Sequence, residues 1–195
     1  VRALVRNPSR KAWSEQCNAE VCVGALHNPA DLSAAVAGCE VVVHCAGVTK
    51  TARRDDYYRI NRDAVGQLAQ AARAAGVKRF VLCSTHAASG PALDGIASRE
   101  DDQPRPLTDY GRSKLEGEQV LKANAEAMEW VILRPPSILG PRDEQFIPLF
   151  RGVVRYGIYP RFGAGGQAYS YIYVKDFARA LLMAGEAQSG LCDTY

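Results

Sequence analysis

Val41-Val42-Val43-His44-Cys45-Ala46-Gly47 is a run of β-branched residues that stops on three small ones. An unbroken apolar run of this length fits a strand buried on both faces, as in a parallel sheet, better than one that alternates between core and solvent. Its small-residue end lets a ligand approach the backbone closely. The run is framed by helices. Before it, Asn28 is placed as an N-cap, Pro29 at the first helical position, Asp31 in the first turn and Gly38 just past the end, with Leu32, Ala35 and Val36 as the apolar stripe. After it, a helix from about Asp55 to Ala75 carries Tyr58, Val65, Leu68 and Ala72 on one face. Asn61 falls on that stripe, and a polar residue aimed inward needs a partner.

The same rhythm extends in both directions. Val1 to Val5 reads as a strand that ends in a basic turn, Arg6 to Lys11, and Glu20 to Val23 as a second strand ending at Gly24. Downstream, Gly76 closes the long helix and Arg79 to Cys83 forms a strand ending in Ser84-Thr85. A loop then leads to Thr108, which caps another helix. Trp130 to Leu133 is a further strand, ending at Arg134-Pro135-Pro136-Ser137. A short helix near Gln145 to Tyr156, an alternating strand from Tyr169 to Val174 and a helix from Lys175 to Ala184 complete the chain. Strands separated by helices imply βαβ units, hence an α/β fold with a parallel sheet and helices on both faces. Ligands of such sheets bind beyond the carboxyl ends of the strands. Arg6, Gly24, Ala46-Gly47, Ser84-Thr85 and Pro135-Pro136 would therefore line one crevice.

The helix capped by Thr108 begins Asp109-Tyr110-Gly111-Arg112-Ser113-Lys114. Residues i and i+4 lie about 6 Å apart on one helix face, so Lys114 can bias Tyr110 toward its phenolate and make it a general acid/base. A solvated helix face shows the same spacing, and Tyr171 and Lys175 repeat it. That second pair lies on an alternating stretch, where four residues span roughly 13 Å, and is not expected to touch.

Composition removes several classes. At 195 residues the chain suits one domain, and its 47% hydrophobic and 23% charged content is that of an ordinary globular protein. A net charge of +3 with no basic run or basic–aromatic interleaving argues against a nucleic-acid partner. The six cysteines show no Cys-x-x-Cys pair, which suits free thiols in a reducing compartment. No apolar run reaches the length of a membrane span and no signal peptide precedes the first strand, so a cytoplasmic location is expected. His44 beside Cys45 has no third ligand at metal spacing, and no metal is expected. The chain opens on Val1 inside a strand and stops at Leu191 to Tyr195 on the approach to another, as a fragment would.

Six ordered stretches, Val43 to Gly47, Tyr58 to Asn61, Cys83-Ser84-Thr85, Tyr110 to Lys114, Leu133 to Pro136 with Gly140-Pro141, and Ile172 to Asp176, together resemble the extended short-chain dehydrogenase/reductase family. The resemblance covers nearly the whole chain. It implies a Rossmann-type doubly wound parallel sheet, incomplete at the N-terminus, in a single domain over residues 1–195, with about 137–172 on the substrate side as the start of a small C-terminal domain. It also implies an NAD(P)-dependent dehydrogenase or reductase acting on a small-molecule substrate, with a homodimer left open. By position, Tyr110 would be the acid/base. Lys114 would lower its pKa and hold the nicotinamide ribose. Thr85 would be the catalytic hydroxyl, with Ser84 its neighbour in a shifted register. Asn61 would support the lysine, unless it is a purely structural buried amide. Ala46, Gly47 and Pro135 would contact the cofactor, Pro136 would sit near the nicotinamide, and His86 and Ser137 would face the substrate.

Departures from the family pattern sharpen the reading. The glycine-rich turn after the first family strand is absent. Gly163-Ala164-Gly165-Gly166-Gln167-Ala168 satisfies G-x-G-x-x-A but precedes a strand instead of a helix, so it is not the fingerprint. The missing strand is the central one of the 3-2-1-4-5-6 order, so the fragment would expose two unpaired edges and be unstable or aggregate alone. Arg6, supported by Arg10 and Lys11 with no carboxylate nearby, favours NADP over NAD. Ala25 stands where relatives often carry an aspartate for the adenine. Related dehydratases carry Asp-Glu where this chain has His86-Ala87. Related epimerases carry Asn at Ser137 and Arg at Tyr169. The pattern therefore resembles members that interconvert secondary alcohols and ketones on non-nucleotide substrates. Tyr156, Tyr159, Phe162 and Tyr169 would either line an apolar pocket or pack the small domain. The rivals are a nucleotide-sugar epimerase and a non-catalytic dinucleotide-binding subunit or assembly factor.

Overall fold

A computed structural model of the protein describes residues 1–7, 18–92, 96–144, 146–157 and 169–195. Arg10, Lys11, Gln145, Tyr159, Phe162 and the Gly163–Ala168 stretch lie outside the described residues. The chain runs β1 (Arg2–Val5), β2 (Glu20–Val23), α1 (Pro29–Val36), β3 (Val41–His44) and α2 (Arg54–Tyr58). A π-helical segment, Arg59–Asp63, leads from α2 into α3 (Ala64–Ala74). Then come β4 (Arg79–Cys83), α4 (His86–Ser89), α5 (Asp109–Ala125), β5 (Glu129–Leu133) and β6 (Ser137–Leu139). The chain ends with α6 (Phe146–Tyr156), β7 (Tyr171–Tyr173), α7 (Val174–Glu186) and β8 (Asp193–Thr194).

Every strand pair is parallel. The main sheet has the order β3-β4-β5-β8, β1 pairs with β2, and β6 pairs with β7. In the main sheet Val42, Phe80 and Trp130 form one cross-strand row, and His44, Leu82, Ile132 and Thr194 another. Alternation along each strand sends these rows to one face. There they meet α1, α3 and α5 in a core of Leu32, Val36, Val65, Leu68, Phe80, Leu82, Leu121 and Ile132. Phe80 and Leu121 are fully buried, and each such side chain contributes about 1.5–3 kcal/mol. On the opposite face Val81 and Val131 pack against Ala184 of α7. Helices thus cover both faces, as expected of a Rossmann-type doubly wound sheet.

Local signals set the element ends. Asn28 Oδ1 accepts from Ala30 N at 3.1 Å and caps α1. Asp31 of its first turn accepts from Ala25 N at 2.8 Å, which ties α1 to the end of β2. Thr108 Oγ1 accepts from Gly111 N at 3.0 Å and starts α5. Two expectations change. Val41 and Val43 are 37% and 44% exposed, although their run reads as a strand buried on both faces. Among the described residues β3 is hydrogen-bonded to β4 alone, so one face of this edge strand stays open. In addition, β6 forms directly after the Pro135-Pro136 turn and pairs with β7, where only the later strand is legible in the sequence. Tyr171 lies on β7 and Lys175 in the first turn of α7, so the repeated Tyr/Lys spacing falls on two different elements. Among the described residues no helix is long and apolar enough to cross a membrane, and no cluster of His, Cys, Asp and Glu could hold a metal ion.

Candidate active site

The carboxyl ends of β3, β4 and β5 open onto a cleft of about 490 Å³. β3 supplies Cys45 and Gly47, β4 supplies Cys83, Ser84 and Thr85, and the segment after β5 supplies Pro135, Pro136 and Ser137. α5 contributes Tyr110 and Lys114 to the lining, and His86 and Phe146 also line it. Nine of the sequence-predicted site residues therefore meet in one place. Asn61 stands behind the cleft. Ala46 is exposed outside its lining, and Arg6 is exposed in the bend after β1.

α5 approaches α4 and the π-helical segment closely because two of its glycines permit it. A Cβ on Gly111 would overlap the carbonyl oxygen of Ala87, and one on Gly117 that of Asn61. Lys114 is 5% exposed and donates from Nζ to the carbonyl oxygen of Cys83 at 2.7 Å. Burial lowers its pKa. Tyr110 shifts the other way. Burial raises its pKa, and a hydrogen bond with Thr85 only partly offsets this. The direction corrects the spacing argument, in which Lys114 pulls Tyr110 toward phenolate: the ammonium is directed at Cys83, and desolvation of the phenol dominates. Thr85 Oγ1 also accepts from Ala87 N at 3.2 Å and so caps α4.

Asn61 is 1% exposed and satisfied on every side. Its Nδ2 donates to Val48 O at 3.0 Å and to Ser113 Oγ at 3.1 Å, and its Oδ1 accepts from Val48 N at 2.9 Å. Ser113 in turn donates to Tyr110 O at 2.8 Å. The amide thus clamps the backbone beside Gly47 to the first turn of α5. Ser84 is 4% exposed, and its hydroxyl donates to Glu118 Oε1. Glu118, one turn beyond Lys114 on the same face and 1% exposed, takes Arg134 in a forked pair at 3.0 and 2.6 Å. Arg134 also reaches Ser89 Oγ at 3.2 Å. The Ser84 hydroxyl is therefore engaged in a buried network with Glu118 and Arg134, whereas Thr85 is the neighbouring hydroxyl beside Tyr110.

Sequence reading missed Glu118, Ser113 and Tyr57. Glu118 continues the Tyr110, Lys114 spacing by four more residues, a stripe that was there to be read. The ring of Tyr57 on α2 lies 6.2 Å from that of Tyr110, where α2 packs against α5, a pairing that no sequence spacing records. The residues present fit the nicotinamide-ribose end of a dinucleotide. Lys114 spends one of its three donors on Cys83 O, and Gly47 leaves room that a Cβ would take, 3.1 Å from Asn61 Oδ1 and 3.8 Å from Lys114 Nζ.

Comparison with known proteins bears on the same site. Residues 1–192 match the NAD dependent epimerase/dehydratase family. The chain is 33% identical to ceramide reductase of Caulobacter vibrioides over 93% of its own length and 51% of that protein's. It is 30% identical to 4-hydroxy-2-methyl-3-oxo-4-farnesyl-3,4-dihydroquinoline-1-oxide ketoreductase of Stigmatella aurantiaca, over 97% of the chain and 58% of that protein. Among solved structures, MoeE5 in complex with UDP-glucose and NAD superposes with a TM-score of 0.81 at 28% identity, over 100% of the chain and 65% of MoeE5. The chain spans just over half the length of the two reductases it matches. The match runs almost from end to end of the sequence, and the chain belongs to the NAD dependent epimerase/dehydratase family.

Proposed function

We propose that the protein is an NAD(P)-dependent oxidoreductase that interconverts a secondary alcohol and a ketone on a small, non-nucleotide substrate. The observation that carries this reading is the buried phenol of Tyr110, hydrogen-bonded with Thr85 and in one cleft with Lys114. A bound nicotinamide supplies or accepts the hydride. Thr85 binds the carbonyl oxygen, and Tyr110 gives its proton to that oxygen as negative charge develops there. Lys114, held by Cys83 O, places a cation where the phenolate left behind needs one. Asn61 fixes the backbone on either side of the pair. Burial raises the Tyr110 pKa, so the phenol is held in its proton-donating form for ketone reduction, and the same group would take the proton back in alcohol oxidation. NAD is bound by MoeE5. Arg6, exposed beyond β1 and followed in the sequence by no carboxylate through Lys11, suits a 2′-phosphate and favours NADP.

The likeness to a ketoreductase supports a ketone substrate. Nucleotide-sugar epimerisation is the second reading, favoured by the likeness to MoeE5. The cleft counts against it: no arginine is among its described lining residues, and Ser137 and Tyr169 occupy the positions where related epimerases carry Asn and Arg. In the full-length protein, Tyr110→Phe is expected to retain NADPH binding and lose turnover by about 10²- to 10⁴-fold. Unchanged ketone reduction by this variant would end the assignment. Activity on a nucleoside-diphosphate sugar without net cofactor use would establish the second reading instead. NADPH binding with no turnover over a broad alcohol and ketone panel would point to a non-catalytic subunit.

A further inference from the structure

We propose that Cys45 and Cys83 form a reversible thiol–disulfide site in the floor of the cleft, reacting with hydroperoxides and switching turnover off. β3 and β4 are in register to His44 and Leu82, and the next residue on each strand is one of these cysteines. Side chains in register on parallel neighbours point to the same face, and strands about 4.8 Å apart fall inside the Cα separation a disulfide accepts, roughly 4.4–6.8 Å. The two thiols are close enough to shift each other's pKa, and both line the cleft. Cys45 is the exposed member, whereas Cys83 is half-buried.

The pair is asymmetric in a way that suits the chemistry. Proximity to Cys83 lowers the Cys45 pKa against the effect of burial and with help from the Lys114 ammonium, while Cys45 and burial raise that of Cys83, whose thiol proton is directed at Ser84 O at 3.8 Å. Cys45 is therefore the nucleophile and Cys83 the resolving thiol. Cys45 sulfur attacks the terminal peroxide oxygen, the O–O bond breaks, and the departing oxygen takes up the proton released by the Cys45 thiol and leaves as water from hydrogen peroxide or as the alcohol from an organic hydroperoxide. Cys45 is then a sulfenic acid. Cys83 sulfur attacks Cys45 sulfur, the S–S bond forms as the S–O bond breaks, and the Cys83 proton leaves with the hydroxide as water. Two thiols are oxidised and one peroxide is reduced. The bond links the backbone entering Gly47 to the residue whose carbonyl holds Lys114, so closure pulls on the group that steadies Tyr110.

The effect on turnover rests on the oxidoreductase reading, but the bond itself does not, and the two are separated by reading them independently. Full-length protein treated with hydrogen peroxide and mapped without reductant is expected to give a linked Cys45–Cys83 peptide before Cys22, Cys39 or Cys192 is modified. Turnover should fall several-fold and return with dithiothreitol. Cys83→Ala, or Cys83→Ser should the first not fold, should give no linked peptide and instead leave a Cys45 sulfenic acid that dimedone captures. Oxidation of Cys45 and Cys83 no faster than Cys39 and Cys192 would overturn the site. A fully linked protein with undiminished turnover would overturn the switch.

Discussion

Ser84 and Thr85 stand side by side at the end of β4 and answer to different masters. Ser84 is turned into the protein, where its hydroxyl, Glu118 and Arg134 satisfy one another. Thr85 is turned to the cleft and to Tyr110. Ser84→Ala leaves a buried carboxylate short of one donor and should cost about 1–3 kcal/mol of stability while sparing most of the turnover. Thr85→Val removes the α4 cap and should cost about 0.5–2 kcal/mol of stability, and roughly a hundredfold in turnover. Denaturant midpoints and steady-state rates on the two variants check this, and the reverse pattern would restore Ser84 as the working hydroxyl. The sequence showed that hydroxyls end this strand. Which of the two faces the ligand depends on how the backbone turns after Cys83, and no spacing records that turn. His44 makes a second residue-scale case. Burial first, and Lys114 second, push its pKa down to about 3. Between that value and the ordinary 6.5 the unfolded chain binds a proton that the folded one refuses. Stability should therefore fall as pH drops through this window, by roughly 1.4 kcal/mol per pH unit. In the full-length protein His44→Leu should flatten the change in denaturation midpoint between pH 7 and pH 5. An unaltered slope would show that other groups govern the acid limb.

Two helices meet where Asn61 works. From Arg54 to Ala74 the chain reads as one amphipathic helix, but Arg59–Asp63 is wound as a π-helix. Such a bulge widens one turn and re-aims the side chains on it. Here it carries Asn61 to Val48 and Ser113 together. The apolar stripe was legible because Val65, Leu68 and Ala72 keep their period. The bulge was not, because no spacing records it; in the fold it lies where Gly117 of α5 approaches the Asn61 carbonyl closely. Gly117→Ala tests that coupling. Its methyl would overlap the Asn61 carbonyl oxygen, so α5 and the π-turn must separate, at a cost of about 1–3 kcal/mol. Turnover should fall along with the melting temperature, because the displaced Asn61 loosens both Gly47 and Tyr110. An alanine variant as stable and as active as the parent would show that the contact yields without consequence. The Tyr/Lys spacing was resolved at this same scale: Tyr110 and Lys114 share one helix face, whereas Tyr171 and Lys175 straddle a strand and a helix.

At the scale of the whole molecule, the parallel α/β class was legible because each strand is short, apolar and followed by a helix signal. How the strands assemble was less so. Among the described residues β1-β2 and β3-β4-β5-β8 are separate sheets, linked through α1, which packs Leu32 and Val36 into the core that Leu4 and Val42 also join. The sequence could not show that β3 would leave Val41 and Val43 exposed on its open side, because a run of valines looks the same in the centre of a sheet and at its edge. An unpaired strand edge with exposed β-branched side chains offers its free N–H and C=O groups to another chain. The 195-residue polypeptide by itself is therefore expected to self-associate through β3, with sedimentation showing species larger than a monomer at micromolar concentration. Val43→Lys, which puts a charge on that edge and removes apolar surface already in contact with water, should shift the distribution toward monomer without lowering the melting temperature. A soluble parent monomer with a single cooperative melt would show that α1 alone holds the two sheets and that the β3 edge is closed from within.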